Sequence, residues 1–333
     1  MKRRDFLRTA GTALGGMALP GRKLLGARHA TGHGPGGRRP PNIVLIMADD
    51  IGPNHYGCYG VKDANTPNID RLAETGVAFQ TCWCTPMCSP TRAEIVTGRY
   101  AYQTGVYHNR LKIPHPEFGS NFQKANLTFA RILREAGYAT AVAGKWHTGG
   151  DPTSTYGGFD ETCFWASLKE VPDDQEFRGA MENESTTSRY WHPCVLQNGR
   201  LLETGPEDYG PDIYTDFLID FMRRNRNRPF LAYYPMVLTH GTREGRASTP
   251  LSGEVGDLVN GTLQEMNEYL DVLMGRIADV LDEMGLRENT VIMFTSDNGD
   301  PVAGKTNATE QGAGVPMVVN CPGLVKARGA SGE

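Results

Sequence analysis

Short apolar runs alternate with helical segments along most of this 333-residue chain. The first run, at 42–47, is almost continuously apolar, as expected of a strand that is buried on both faces of a sheet. Such alternation predicts an α/β fold with a mainly parallel sheet and helices on both of its faces. Helices are predicted at 66–76, 128–136, 212–224 and 263–284, and further strands at 138–143, 230–234, 290–295 and 315–320.

The first predicted helix has recognisable ends. Thr66 is the expected N-cap, Pro67 occupies the first turn, and Gly76 follows the last turn. Its apolar stripe consists of Ile69, Leu72 and Ala73.

Polar side chains follow four of the predicted strands, at the point where each strand ends. In parallel sheets, ligands bind beyond the carboxyl ends of the strands, so these side chains are expected to meet at one edge. They comprise three acids, one amide, one lysine and two histidines. The residues are Asp49, Asp50, Lys145, His147, His240, Asp297 and Asn298.

The acidic members of this set predict a metal site. Asp49, Asp50 and Asp297, with Asn298, supply hard oxygen ligands, which suit Ca²⁺ or Mg²⁺. Carboxylates held this close repel one another unless a cation lies among them. The alternative is that the adjacent aspartates cap a loop or helix, and for one Asp-Asp pair alone that interpretation would be preferred. Two acidic strand ends at the same sheet edge favour the metal.

The N-terminal segment is strongly basic. Residues 1–40 carry nine Lys or Arg and one acid, whereas the whole chain has a net charge of −4, so the remainder carries −12. The acidic remainder argues against general nucleic-acid binding. Arg3-Arg4-Asp5-Phe6-Leu7 is a twin-arginine pattern followed by a weakly apolar stretch, which predicts a Tat export signal over roughly residues 1–30, and residues 31–41 form a predicted linker. We therefore expect an exported protein, periplasmic or extracellular, that uses the Tat machinery.

The most specific motif is Cys88-Ser89-Pro90-Thr91-Arg92. It resembles the C-x-P-x-R sequence in which type I sulfatases, of the alkaline phosphatase superfamily, oxidise cysteine to formylglycine. The alternative to formylglycine is an unmodified cysteine at this position, either free or disulfide-bonded. A helix that begins near Pro90–Arg92 would direct free backbone N–H groups at an anion.

Other blocks resemble the same family in the same order across residues 42–323. Lys305 precedes Glu310 by five residues, as in the family, although the usual second glycine is absent from the Gln311-Gly312-Ala313-Gly314 stretch that follows. His240 also lacks the proline that relatives commonly have two positions later. The remaining matching blocks are Asp49-Asp50-Ile51-Gly52, residues 65–73, Gly144-Lys145-Trp146-His147 and Ser296-Asp297-Asn298-Gly299.

The resemblance implies a metal-bound formylglycine. The ion is expected to be Ca²⁺, with Mg²⁺ as the alternative, and a formylglycine-generating enzyme makes the aldehyde from Cys88. The hydrated aldehyde attacks sulfur through one hydroxyl, and the second hydroxyl later expels sulfate. The implied metal ligands are Asp49, Asp50, Cys88, Asp297 and Asn298.

The resemblance also implies roles around the sulfate group. Arg92 and His147 orient the formylglycine, and Asp297 is the base for the attacking hydroxyl. Either His240 or Lys305 protonates the leaving alcohol. The implied sulfate-binding residues are Lys145, His240 and Lys305.

The expected activity is hydrolysis of sulfate esters, of a sulfated small molecule such as an aryl sulfate or of a sulfated polysaccharide. Two alternatives stay open: a phosphoester or phosphonate monoester hydrolase of the same superfamily, and a non-catalytic glycan-binding fragment. Residues 42–333 form the expected catalytic domain. Because relatives continue beyond the point that corresponds to Glu333, we expect this domain to be truncated at its C-terminus.

Overall fold

The computed structural model describes residues 39–109, 126–149, 152–154, 156–302 and 304–331. The predicted export signal, and the predicted linker up to residue 38, lie outside the described residues and stay predictions. Within the described part of the chain, no helix is both long and apolar enough to cross a membrane.

The predicted helices are all present, with ends that shift by one or two residues. The cysteine of the C-x-P-x-R motif is itself the first residue of a helix, slightly earlier than the start expected near Pro90. The helices are α1 (Pro67–Glu74), α2 (Cys88–Thr97), α3 (Ala101–Thr104), α4 (Phe129–Glu135), α5 (Gly210–Arg224), α6 (Leu263–Glu283) and α7 (Glu310–Ala313).

The strands include every predicted one and several short additions. The last predicted strand begins at Met317 rather than Val315. The strands are β1 (Asn42–Ala48), β2 (Val77–Phe79), β3 (Ala139–Gly144), β4 (Glu161–Trp165), β5 (Met181–Asn183), β6 (Thr186–Thr187), β7 (Val195–Gln197), β8 (Arg200–Leu201), β9 (Phe230–Pro235), β10 (Thr290–Ser296), β11 (Met317–Asn320) and β12 (Gly329–Ser331).

Within the described residues, ten strands form one sheet in the order β12-β2-β11-β10-β1-β9-β3-β4-β7-β8. The central strands β10, β1, β9, β3 and β4 are all parallel to one another. Antiparallel partners flank this centre, with β11 beside β10 and β7 beside β4. The predicted mainly parallel α/β sheet is therefore confirmed, and it brings the carboxyl ends of the central strands to one edge.

The alternation of side chains along β1 explains how both faces of the sheet are covered. Val44 and Ile46 belong to a core that also contains buried residues of α1, α5 and α6. Met47, which points to the opposite face, packs in a second core with residues of α2 and α4. Helices thus cover both faces, as the sequence predicted, and α2 carries Cys88 on the second face.

The expected N-cap position of α1 is confirmed at Thr66, but the Thr66 side chain makes no capping bond. Its hydroxyl instead accepts a hydrogen bond from the Gly57 N–H and bonds Asp70. The free N–H groups of the first turn are satisfied by Asp271 of α6, which accepts from the Asn68 N–H at 3.0 Å and the Ile69 N–H at 2.8 Å. A buried carboxylate 202 residues away in the sequence therefore caps this helix.

We expect Asp271→Ala to destabilise the fold by about 2–3 kcal/mol, because it leaves buried N–H donors of α1 without an acceptor. Chemical denaturation would measure the change. Asp279→Asn is the matched control, since Asp279 lies on the same helix and forms only an exposed pair with Arg71. Equal unfolding midpoints for the two variants would contradict the capping role.

Candidate active site

The carboxyl ends of β1 and β10 place an acidic pair and an aspartate–asparagine pair side by side. The parallel register pairs Ala48 with Ser296, the last residues of the two strands. Asp49 and Asp297 follow directly, and the Asp297 N–H donates to the Ala48 carbonyl at 3.1 Å. The two acidic strand ends that the sequence predicted to meet are therefore adjacent.

A glycine is required where β3 enters the site. Gly144 has a φ of 115°, and a Cβ at this position would lie only 2.1 Å from the Pro235 carbonyl oxygen. The close approach allows the Lys145 N–H to donate to the same carbonyl at 2.6 Å. The Lys145 ammonium group then lies 2.5 Å from the Asp49 carboxylate. The predicted sulfate-binding lysine is thus buried and directed at Asp49.

Cys88, the first residue of α2, is buried among oxygen atoms. Its Sγ lies 3.6 Å from Asp49 Oδ1, 3.7 Å from Asp50 Oδ1 and 3.4 Å from Asn298 Oδ1. Burial, reinforced by the negative charge of Asp297, raises the pKa of this thiol well above its usual value. Reactive cysteines act as thiolates, so unmodified Cys88 is a poor nucleophile in this setting.

Arg92 connects the two acidic strand ends. It lies one turn along α2 from Cys88 and is fully buried. Its Nε and Nη2 atoms lie 2.9 Å and 2.8 Å from Asp297 Oδ2, and Nη2 lies 3.4 Å from Asp49 Oδ2. Its Nη1 atom donates to the Lys145 carbonyl at 2.6 Å. The guanidinium is therefore a structural counter-ion for two carboxylates, with no direct contact to Cys88 among these bonds.

Asp50 forms the accessible side of the cluster. It has a φ of 64°, a left-handed conformation that aspartate adopts more readily than most residues. Lys305 Nζ lies 2.7 Å from both of its carboxylate oxygens, and His240 Nε2 lies 3.5 Å from Oδ2. The Asn298 side-chain amide donates to Oδ1 at 2.8 Å. The structure thus brings the predicted Lys305, His240 and Asn298 to one carboxylate.

The three carboxylates differ in acidity. Burial alone raises the pKa of Asp49, but neighbouring cations, led by Lys145, outweigh burial and hold it well below its usual range. Burial and the charge of Asp49 act to raise the pKa of Asp50. Adjacent cationic groups, including Lys305, have the larger effect, so the pKa of Asp50 is lowered. Burial and the charge of Asp49 prevail at Asp297, where the pKa is raised to about 6. Asp297 is therefore the member that can take up a proton near neutral pH.

This cluster fits a divalent cation. One ligand atom from each of Asp49, Asp50, Cys88 and His240 lies within 4.8 Å of the others. Carboxylate oxygens at such spacing suit a hard cation, and Asn298 Oδ1 faces the same centre. Asp297 directs Oδ2 at Arg92 and accepts the Asp50 N–H on Oδ1 at 3.1 Å, and its role as a ligand stays a prediction. His240 joins the cluster although the sequence analysis did not count it as a ligand.

The remaining predicted residue, His147, lies beside α2. It has a φ of 53°, and its carbonyl accepts a hydrogen bond from the Ser89 hydroxyl at 2.7 Å. Its side chain is exposed. The structure therefore places the His147 backbone next to the residue that follows Cys88, and the orienting role of its side chain stays a prediction.

On the side of Asp50, the cluster opens to solvent. A cleft of about 640 Å³ is lined by Asp50, His240 and Lys305 together with the loop that follows His240. The side chains of Arg92 and Lys145 are buried beneath this cleft, away from solvent. Of the four basic residues around the carboxylates, His240 and Lys305 are the two that a substrate in the cleft can reach.

Two functional candidates were missed in the sequence. Arg189 is buried and pairs with Glu182 through bonds of 2.8 Å and 2.9 Å. Its Nη1 lies 3.3 Å from His240 Nδ1, and its guanidinium lies 4.1 Å above the centre of the Trp165 ring. Although burial opposes the charged form, Glu182 raises the pKa of Arg189. Arg189 and Glu182 belong to no recognisable sequence motif. The sequence therefore contains no sign that this buried ion pair lies behind His240.

Residues 41–331 match the family model described as Sulfatase. The chain belongs to the sulfatase family. Mouse (Mus musculus) steryl-sulfatase is 31% identical over an alignment of 371 positions, which covers 85% of this chain and 58% of that protein. Human (Homo sapiens) N-acetylgalactosamine-6-sulfatase is 31% identical over 288 residues, covering 83% of this chain and 53% of that protein. The chain thus spans less than two thirds of the length of these relatives.

Solved structures confirm the fold. The crystal structure of Ps i-CgsB is similar with a TM-score of 0.68 and 27% identity, over 88% of this chain and 68% of that one. The phosphonate monoester hydrolase of Agrobacterium radiobacter is similar with a TM-score of 0.54 and 19% identity, over 85% of this chain and 68% of that one. The second likeness concerns the fold alone. Sulfatases of this family typically use a metal ion and formylglycine.

We expect Glu182→Ala to destabilise the protein by about 3–5 kcal/mol, because it leaves the Arg189 guanidinium buried without its counter-ion. Denaturant unfolding would report the loss. Glu176→Ala is the matched control, since Glu176 pairs with Arg178 in an exposed position, and we expect no measurable change there. A wild-type midpoint for Glu182→Ala would show that the buried pair is dispensable.

Proposed function

We propose that this sulfatase-family chain hydrolyses sulfate esters with a formylglycine formed from Cys88. The observation that supports this most strongly is the position of Cys88. The first residue of the C-x-P-x-R motif begins α2 with its Sγ among oxygens of Asp49, Asp50 and Asn298. An unmodified thiol lacks the second hydroxyl that releases sulfate, so the proposed chemistry needs the modified residue.

The formylglycine and the metal ion that the family implies would each supply one part of the chemistry. The hydrated aldehyde, once formed by a formylglycine-generating enzyme, provides one hydroxyl for attack on sulfur and a second whose deprotonation expels sulfate. A divalent cation, for which we propose Ca²⁺ with Mg²⁺ as the alternative, provides electrostatic stabilisation of developing negative charge. Asp49, Asp50, Asn298 and residue 88 would hold the ion, with His240 beside them and Asp297 behind Asp50.

Arg92 and Lys145 keep the carboxylates in place. Both are sealed from solvent, and their bonds to Asp49 and Asp297 hold these side chains in fixed orientations. Such preorganisation lowers the cost of rearranging the site during the reaction. We therefore assign Arg92 a positioning role for residue 88 through the two aspartates.

Asp297 is the proposed proton acceptor for the attacking hydroxyl. A general base works best with a pKa near the working pH, and Asp297 has a pKa raised to about 6, whereas those of Asp49 and Asp50 are lowered. Its Oδ1 atom, which accepts the Asp50 N–H at 3.1 Å, is the proposed site for that proton.

Lys305 and His240 are the proposed contacts to the sulfate group. Both line the open cleft, and both approach Asp50. Burial lowers the pKa of His240 to about 3, so its imidazole is neutral. The pKa of Lys305 is raised despite burial, by neighbouring acidic groups including Asp50, so the amine keeps its positive charge. We therefore propose Lys305 as the proton donor to the leaving alcohol and as a cation for sulfate oxygens.

A sulfated glycan is the proposed substrate class. The relatives include N-acetylgalactosamine-6-sulfatase, and Ps i-CgsB has also been solved in complex with k-i-k-neocarrahexaose. The cleft is open and polar, as a glycan requires. The likeness to a phosphonate monoester hydrolase is at 19% identity and gives no specific support for that activity. Comparing turnover of aryl sulfate and aryl phosphate would separate the two.

We expect Cys88→Ala to reduce turnover of 4-nitrophenyl sulfate to background while the fold remains intact, because alanine cannot form the aldehyde. Circular dichroism and colorimetric assay would measure the two quantities. Mass spectrometry of the wild-type peptide should show the aldehyde at position 88 after expression with the modifying enzyme. Cys82→Ala is the control, since Cys82 lies outside the motif, and it should retain turnover. Substantial turnover by Cys88→Ala would refute the proposal.

We expect Ca²⁺ to stabilise the chelator-treated protein, by about 2.7 kcal/mol when the free ion is about 100-fold above its Kd. Asp50→Asn should lose most of this gain and most of the bound metal, because it removes a carboxylate from the cluster. Thermal unfolding and elemental analysis would measure these effects. Asp220→Asn, in an exposed pair on α5, is the control. Wild-type metal content in Asp50→Asn would place the ion elsewhere.

A further inference from the structure

The cleft that opens from Asp50, His240 and Lys305 continues along a second wall. This wall consists of residues 241–246 on one side and Val259, Gly261, Thr262 and Leu263 on the other. Two arginines stand on it, Arg243 and Arg246. Neither the cluster nor the mechanism proposed above uses them.

Both guanidinium groups lack a carboxylate partner. Among the described residues, no aspartate or glutamate lies within ion-pair distance of Arg243 or Arg246. Arg243 is exposed, whereas Arg246 is half-buried and donates from Nη1 to the Thr239 carbonyl. The other charges of the cleft are Lys305, which is paired with Asp50, and the exposed Glu244. With Glu244 counted, this loop has a net charge of +1, and two guanidinium groups without an ion-pair partner among the described residues line the cleft.

The arginine loop is held in a fixed conformation. The Arg246 N–H donates to the Val259 carbonyl at 3.3 Å, and the Gly261 N–H donates to the Arg246 carbonyl at 2.8 Å. Thr242 closes the turn by donating to the Leu258 carbonyl and accepting the Gly245 N–H.

The two segments of this wall touch backbone to backbone. A Cβ on Gly245 would lie 2.1 Å from the Val259 oxygen, and a Cβ on Gly261 would lie 2.1 Å from the Ala247 oxygen. Such direct packing leaves no room for the segments to slide. The loop is a preorganised support for its arginines, which reduces the entropy cost of binding.

We propose that Arg243 and Arg246 form a second anion subsite, so that the preferred substrate is a glycan carrying another acidic group close to the scissile sulfate. This deepens and rests on the proposed sulfatase function. A guanidinium donates two parallel N–H bonds to an oxyanion, and sulfate and carboxylate both present suitable oxygens. The second group is thus a sulfate ester or a uronate carboxylate, and Arg243, at the exposed rim, makes the contact that determines specificity.

The test compares matched disaccharides. One carries a single sulfate on an otherwise neutral disaccharide, the second carries an additional sulfate, and the third carries a uronate in place of the neutral sugar. The readout is the ratio of kcat/KM for each doubly charged substrate to that of the singly charged one. The wild type should prefer at least one doubly charged substrate, and whichever is preferred identifies the second group.

We expect Arg243→Gln to lower this ratio about tenfold, which corresponds to about 1.4 kcal/mol. Glu244→Gln should raise it, because it removes a negative charge from the same loop. Arg223→Gln, which removes one positive charge from an exposed pair on α5, should leave the ratio unchanged. The opposite signs of the two loop variants distinguish a charge contact from damage to the loop.

Two outcomes would overturn the subsite: no wild-type preference for either doubly charged disaccharide, or equal ratios for Arg243→Gln and Arg223→Gln. Failure of the proposed function is a separate result, seen as no turnover of 4-nitrophenyl sulfate by the formylglycine-containing wild type. In that case, calorimetric binding of the same disaccharides to Cys88→Ala, with and without Arg243→Gln, still decides the subsite.

Discussion

Arg92 lies between Asp49 and Asp297, and the rest of the site depends on that contact. Three carboxylates at the ends of two adjacent strands repel one another strongly when water is excluded. A buried guanidinium with bonds of 2.8 Å and 2.9 Å to Asp297, and 3.4 Å to Asp49, offsets much of that repulsion. Because Arg92 belongs to the same helix as Cys88, the helix that delivers residue 88 also delivers the charge that allows the carboxylates to surround it.

The positive charges around the carboxylates divide into two groups. Arg92 and Lys145 are sealed and act on Asp49 and Asp297, whereas Lys305 and His240 line the cleft and act on Asp50. Lys305 and His240 are therefore the pair that borders the open cleft. Lys145 is bonded to Asp49 beneath the surface, and its predicted contact with sulfate stays a prediction.

The support behind His240 illustrates how the site extends into the fold. Arg189 contacts the imidazole, Glu182 neutralises Arg189, and Trp165 packs against the guanidinium. Trp165 ends β4, Glu182 lies in β5, and Arg189 follows β6. The cleft and its arginines extend the site in the other direction, over the loop that follows His240.

The sequence by itself determined the alternation of strands and helices, the sheet edge where polar residues meet, and the cysteine motif. These follow from local periodicity and chain order, because a strand-end residue of a parallel sheet reaches the same edge whatever the details of packing. It did not determine that Asp271 supplies the side-chain capping bonds of α1, that Lys145 is buried, or that Glu182 and Arg189 lie behind His240. Tertiary structure alone decided these, because each contact joins separate segments, as Arg92 joins Asp297 across 205 residues, and only packing sets which side chains lose water together.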